Sequence, residues 1–180
     1  MSTQNIGIRI IRFSNVICNN KGMTERTTSN VITFGTFDLF HIGHLNILNG
    51  ANEAGRVMVY PYKETENPKI RKLGWFGPEP TLIVGVSSDK MNYDKKKKYP
   101  VVNQEDRMAI VGALSVVDKV FLEESMEQKR EYIKEYEAHV LVMGDDWKGK
   151  FDEFKDICEV VYLPRTPSIS TTMLIEKIVR

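Results

Sequence analysis

Val31 to His44 reads VITFGTFDLFHIGH: a short run of β-branched and aromatic residues, a glycine, then two histidines three apart around a second glycine. Val31 to Phe34 has the length and content of a buried strand, and Leu45, Leu48, Ala51 and Ala54 then repeat at the spacing of one helix face. At this junction Gly35 permits a sharp exit from the strand, and Gly43 lets the backbone approach a ligand closely. Three readings of His41 and His44 compete. As metal ligands they need further partners, and the one other histidine, His139, is remote in the chain with no cysteine near the pair. As core residues, one satisfied histidine is ordinary, but two flanking a glycine at a helix start have a poor structural excuse. As anion ligands they stand beside free backbone N–H groups and the positive end of the helix dipole, where a phosphate is favoured. The balance lies with a nucleotide site.

Outward from this stretch, Thr81 to Val86, Lys119 to Leu122, His139 to Met143 and Glu159 to Leu163 also read as strands. Between them come helical candidates: Met108, Val111 and Leu114 behind an N-cap at Asn103, the charged Met126 to Tyr136, and Thr171 to Val179 behind an N-cap at Ser170. Each parallel return needs a crossover, so the alternation predicts an α/β fold, a Rossmann-like, doubly wound, five-stranded parallel sheet with helices on both faces, in a single domain. Ligands of such sheets sit beyond the carboxyl ends of the strands. Two segments stand apart. Residues 1–30 form an N-terminal extension ahead of the domain at 31–180, and an insertion at about 55–80 carries Pro61, Pro68, Pro78 and Pro80. Arg56 to Tyr60 is a candidate edge strand, paired with Ile6 to Ile11, and the remainder of the insertion reads first as a surface loop and second as a substrate lid.

The totals set outer limits. With 180 residues, 42% apolar, 27% charged and a net charge of +1, the chain suits one globular domain and argues against a dedicated nucleic-acid binder. Two cysteines, Cys18 and Cys158, suggest a reducing compartment. No apolar run approaches the ~20 residues of a membrane span and the first residues lack a signal-peptide block, so a cytoplasmic, membrane-free protein is expected. Near-neutrality hides opposed patches: Lys95 to Lys98 is a run of four lysines, placed in a loop after the second strand, while Glu123, Glu124, Glu127, Glu131, Glu135 and Glu137 make a later acidic stretch.

Later segments sharpen the function. YLPRTPSISTT (Tyr162 to Thr172) reads as a second phosphate cradle, with Arg165 as a planar bidentate donor and Ser170, Thr171 and Thr172 at a helix start. One Ser or Thr suffices for an ordinary cap; three in a row behind an arginine exceed that need. Lysine runs are usually solvated, and MEQKR (Met126 to Arg130) reads equally as a charged helix face.

GTFDLFHIGH resembles the HxGH signature of the nucleotidyltransferase superfamily; HIGH also occurs in class I aminoacyl-tRNA synthetases. VMGDDWKGKFD (Val142 to Asp152) and the RTPSISTT string resemble segments of the bacterial glycerol-3-phosphate cytidylyltransferase family, as do the basic loop and VDKV (Val117 to Val120). The resemblance implies a homodimeric, Mg²⁺-dependent enzyme that transfers CMP from CTP to glycerol 3-phosphate. It places Thr36, Phe37, His41, Gly43 and His44 on the α-phosphate side, and Arg165, Thr166, Ile169, Ser170, Thr171 and Thr172 on the β- and γ-phosphates. It implies catalytic roles for His41, His44, Lys95 and Arg165, and acceptor contacts from Lys95, Lys97 and Lys129. Two positions depart from the family pattern: Ser115 stands for an arginine assigned to nucleotide or dimer contacts, and Ser168 for a glycine. The alternatives are a cytidylyl- or adenylyltransferase for another phosphate ester (phosphocholine, phosphoethanolamine, a sugar or alditol phosphate), an RNA binder using HIGH and the lysines, and a module that binds CTP without turnover.

Overall fold

The computed structural model describes residues 29–59 and 79–179. Five parallel strands form one sheet: β1 (Asn30–Gly35), β2 (Thr81–Ser87), β3 (Lys119–Glu123), β4 (Val140–Gly144) and β5 (Glu159–Leu163), in the order β3-β2-β1-β4-β5. Val31 is the central register point, opposite Leu82 on one side and Val140 on the other. The strands walk outward from β1 to β3, then cross back to β4 on its other flank. The switch in strand order therefore falls between β1 and β4, and a crevice opens there beyond their carboxyl ends.

Alternation along the strands supplies two cores. Val31, Leu82, Val84, Val86, Val140 and Val142 pack on one face with Leu48, Ala51 and Val111, from helices α1 (Ile42–Val59) and α3 (Gln104–Gly112). Ile32, Phe34, Ile83, Leu141 and Met143 pack on the other with Ile133 of α4 (Lys129–Glu135) and with Phe151 and Phe154 around a short 3₁₀ turn (Asp152–Asp156). The period of two places successive residues on opposite faces, so a sheet covered on both sides needs these nearly continuous apolar runs.

Both expected caps are present. Asn103 accepts from the Asp106 N–H at 2.8 Å, and Ser170 accepts from the Met173 N–H at 3.2 Å at the start of α5 (Thr171–Ile178). Four local expectations are corrected. Arg56–Val59 is not an edge strand but the last turn of α1, where the Arg56 guanidinium pairs with Glu53 one turn back and with Glu79; its expected partner strand at residues 6–11, the 1–30 extension up to residue 28, and residues 60–78 of the insertion lie outside the described residues. The lysine run is not a loop. Ser88 caps a helix α2 (Asp89–Lys96), so Lys95 and Lys96 occupy its last turn, where cations offset the dipole, and Lys97 is the left-handed C-cap at φ 53°. The charged helix starts at Lys129 instead of Met126, because Met126 turns into a cleft and Gln128 makes no side-chain cap. Glu123 leaves the acidic surface stretch altogether: it ends β3 and is buried. No helix among the described residues is long and apolar enough to cross a membrane.

Candidate active site

The stretch after β1 builds a helix start around two imidazoles. His41 is the N-cap of α1, its carbonyl accepting from the His44 and Leu45 N–H groups, and its Nδ1 accepts from the Gly43 N–H at 3.1 Å. Neutral His41 therefore carries its proton on Nε2, as a donor for a ligand. Gly43 is demanded by packing: a Cβ there would lie 2.9 Å from His41 Cε1 and 3.3 Å from Ile169 Cγ2. The His41 and His44 rings stack at 3.8 Å between centroids and 14° between planes, while Phe37 and Phe40 close on His44 at 5.4 and 5.5 Å. Phe37 and Leu39 hold φ of 53° and 43°, a strained turn that seats those rings. Burial, helped by the neighbouring His41 and opposed by Asp38, pushes the His44 pKa down to about 4. Burial and the nearby Arg165 cation also lower that of His41, against a backbone hydrogen bond that raises it. Both rings are thus neutral donors at pH 7. His44 Nδ1 is buried with no hydrogen-bond partner among the described residues, an orphaned polar atom of the kind found at binding sites.

The loop after β5 docks on this helix start at three points. Asn46 donates to the Thr166 hydroxyl at 2.9 Å, Ile169 sits over Gly43, and Thr171 donates its hydroxyl to the Asp38 carbonyl at 2.9 Å. Two helix N-termini, of α1 and α5, thereby face one space, with Arg165 beside His41. Asp38 ties in a third segment, its carboxylate accepting from the Val101 and Val102 N–H groups at 2.9 and 3.0 Å.

Adjoining it is a cleft of about 260 Å³ between the ends of β1, β2, β3 and β4, bordered by Gly35 and Thr36. Its walls are Phe34, Phe151, Trp147 and three methionines, and its polar groups are Ser87, Asn92, Lys95, Lys96, Glu123, Lys129 and Asp146. Lys95 stacks its ammonium on Trp147 at 4.0 Å. Burial lowers its pKa, as do Lys96 and Lys150, with Glu123 and Asp146 opposing. The Thr36 hydroxyl donates to Asn92 at 2.7 Å, and the buried Arg107 guanidinium grips the Thr36 and Ser87 carbonyls and the Asp89 carboxylate. One arginine thereby fixes the ends of β1 and β2 and the start of α2.

Phe37, His41, Gly43, His44, Arg165, Thr166, Ile169, Ser170, Thr171 and Thr172 thus gather at the two helix starts, and Thr36, Lys95 and Lys129 at the adjoining cleft. Two residues fall elsewhere. Lys97 is exposed and lies 5.8 Å over the Tyr93 ring. Ser115 lines a separate hollow with Asn52, Arg56, Glu79 and Asp118, at the amino ends of the strands and opposite the site. Residue-level reading passed over Asp38, although it sits in the first motif, and Asp146 and Trp147, although they sit in GDDW. It passed over Asn92, Arg107 and Glu123 because nothing local marks them.

Fold and geometry together define a parallel α/β protein with two helix N-termini facing one space beside a lysine-bearing cleft, and comparison with known proteins places the chain in a family. The chain belongs to the Cytidylyltransferase-like family, whose model matches residues 75–177. It is 41% identical over 148 residues to a glycerol-3-phosphate cytidylyltransferase of Bacillus subtilis (strain 168), covering 82% of this chain and 95% of that protein. It is 37% identical over 144 residues to the protein of that name from Staphylococcus aureus (strain NCTC 8325 / PS 47), covering 80% and 90%. The crystal structure of a lipopolysaccharide core biosynthesis protein from Thermoplasma volcanium GSS1 shares the fold, with a TM-score of 0.56 at 19% identity over 77% of this chain and 98% of that one.

Proposed function

We propose that the protein transfers CMP from CTP to glycerol 3-phosphate, forming CDP-glycerol and pyrophosphate. The observation that carries this reading is the junction of two helix N-termini, with paired neutral imidazoles and Arg165, to a cleft holding Lys95 and Lys129. The names of the relatives supply the nucleotide and the acceptor.

The chemistry asks little covalent work of the protein. A phosphate monoester has a second pKa of about 6, so the acceptor is largely a dianion at neutral pH and needs no general base. An oxygen of that phosphate attacks the α-phosphorus of CTP, the bond to the β-phosphate bridge breaks, and pyrophosphate departs with its electron pair. The cost is electrostatic, a dianion approaching a polyanion, so positioning and fixed donors supply the catalysis. His41 and His44 donate to the α-phosphoryl oxygens as neutral N–H groups, which keeps them free of internal repulsion until the phosphate arrives. Arg165 and the start of α5 hold the leaving pyrophosphate, and Lys95 and Lys129 hold the acceptor phosphate. Mg²⁺ belongs to the substrate here, as the counter-ion of the CTP phosphates. Asp146 offers a carboxylate at the cleft, the kind of oxygen donor that would hold such an ion beside substrate phosphates. We place the reaction in the cytoplasm and in a homodimer, as the resemblance implies.

The test is pyrophosphate release, with Mg²⁺, from each of four nucleoside triphosphates against glycerol 3-phosphate, phosphocholine, phosphoethanolamine and alditol phosphates. The expected pair is CTP with glycerol 3-phosphate. Faster turnover with ATP, or with a different ester, overturns the assignment.

A further inference from the structure

Glu123 and Lys129 form an ion pair whose two side chains are each 1% exposed, at the floor of the cleft. Both carboxylate oxygens are engaged: the Ser87 hydroxyl donates to Oε2 at 2.7 Å, and the Lys129 ammonium donates to Oε1. The ammonium also lies 3.6 Å over the Phe34 ring and 5.6 Å from that of Phe151. Among the described residues Glu123 is its one hydrogen-bond acceptor, and Lys129 itself lines the cleft. Stability is a poor reason for this arrangement. Replacing a buried ion pair by packed apolar groups is often neutral or stabilising, and a large apolar cluster on this face of the sheet lies beside it. Burial pulls the Lys129 pKa down, and the carboxylate beside it, through its charge and its hydrogen bond, opposes that fall.

We propose that Glu123 is the positioning residue for acceptor recognition: anchored by Ser87, it keeps Lys129 charged and aimed into the cleft as a fixed cation for the acceptor's phosphate. This rests on the reading of the cleft as the acceptor site. Acceptor affinity then depends on a carboxylate whose own oxygens are already engaged and which answers to β3, while the lysine it serves answers to α4. The charged groups facing Lys129 are Glu123 from β3 and Lys95 from α2, with Lys96 and Asp146 on the same cleft. Lys95 repels the ammonium, so Glu123 is the group that holds the proton on.

The experiment is steady-state kinetics of the whole chain, with CTP and glycerol 3-phosphate, between pH 6.5 and 9.5. Glu123→Gln keeps the shape and removes the charge; its one amide oxygen still accepts from Lys129, while its N–H turns to the Ser87 hydroxyl, which then has to accept. It is expected to raise KM for the acceptor about ten-fold or more with KM for CTP within about two-fold, a split that marks lost binding of one substrate alone. The alkaline limb of kcat/KM for the acceptor should move down by about one pH unit or more, a tenfold loss in the pull on one proton. Glu123→Asp, which keeps the charge, should return that limb towards its wild-type position. Ser87→Ala, a milder change that deletes one anchor, should raise acceptor KM by a few-fold and serves if the Gln variant does not fold. An unmoved limb in Glu123→Gln, equal rises in both KM values, an Asp variant that behaves like Gln, or a Ser87→Ala enzyme with unchanged acceptor KM overturns the proposal. Wild-type turnover of another ester only would reassign the acceptor and leave Glu123 to be tested on that ester; no turnover with any ester overturns both.

Discussion

In the reaction we propose, the two halves of the site meet phosphate by different physics. The helix-start half sets backbone N–H groups and uncharged imidazoles on the α-phosphate side, with Arg165 beside them for the pyrophosphate, and Gly43 and His41 are so close that a single Cβ would break the fit. The cleft half works with formal charge, and one of its cations is buried deeply enough to need a carboxylate partner. Neutral donors suit an α-phosphate whose existing charge is redistributed as the transition state forms, because preorganised N–H groups there add stabilisation without first binding tightly. Fixed cations suit a substrate that is already a dianion when it arrives. The difference predicts that damage to the first half shows in turnover, and damage to the second in acceptor affinity.

The largest test of that division is His44→Ala, expected to lower turnover ~10²- to 10³-fold with acceptor KM nearly constant. Activity within a few-fold of wild type would erase the catalytic role of the imidazoles. Next comes Gly43→Ala. Alanine favours the helix, so the fold should survive, but the Cβ displaces the His41 ring, and misplacement of about 1 Å can cost 10²-fold in rate. A melting temperature at or above wild type together with lost turnover is the expected pair of measurements. On the cleft side, Lys95→Ala should raise acceptor KM about ten-fold, as expected for loss of one charge-assisted contact, with the larger share of its effect in KM. Equal effects on both substrates would merge the two halves into one.

The pH dependence of stability offers a smaller test. Because His44 titrates at about 4 when folded against an ordinary 6.5, the unfolded chain takes up the proton first. Its contribution is full above pH 6.5 and is lost as the pH falls to 4. Thermal melts across that window should show a steeper fall for wild type than for His44→Ala; parallel curves would mean that the ring is not desolvated. The smallest effect expected is at Ser168, which sits at φ 61° where the family pattern has glycine. Ser168→Gly should relieve up to about 1 kcal/mol of left-handed strain, read as a raised denaturation midpoint, with turnover within two-fold.

Much of this was legible in one dimension because it is local. Strand runs from Val31 to Leu163 declare themselves by β-branched content, the caps at Asn103 and Ser170 by residue type, and the HxGH and ISTT segments by spacing within a single turn. Where reading failed, the deciding feature was a distant partner, a cap that the lysines mask, or the direction of a strand. Arg56 reads as strand until Glu79 is seen beside the helix that carries it. The lysine run reads as loop until Ser88 is seen to cap α2. Ser115 reads as a nucleotide contact by analogy of position, yet it precedes β3 and so lies at the wrong end of a parallel strand.

Glu123 marks the boundary most sharply. As a letter it is one of six glutamates in an acidic stretch, indistinguishable from the exposed Glu124 beside it. Pairing of β2 with β3 sets Ser87 opposite it, and the return of α4 lowers Lys129 onto it. The sequence by itself determined the class of sheet and the turns that start α1 and α5, since periodicity, capping and glycine geometry act within a few residues. Only tertiary structure decided which charges are buried, because desolvation and pairing depend on what the strand order brings together.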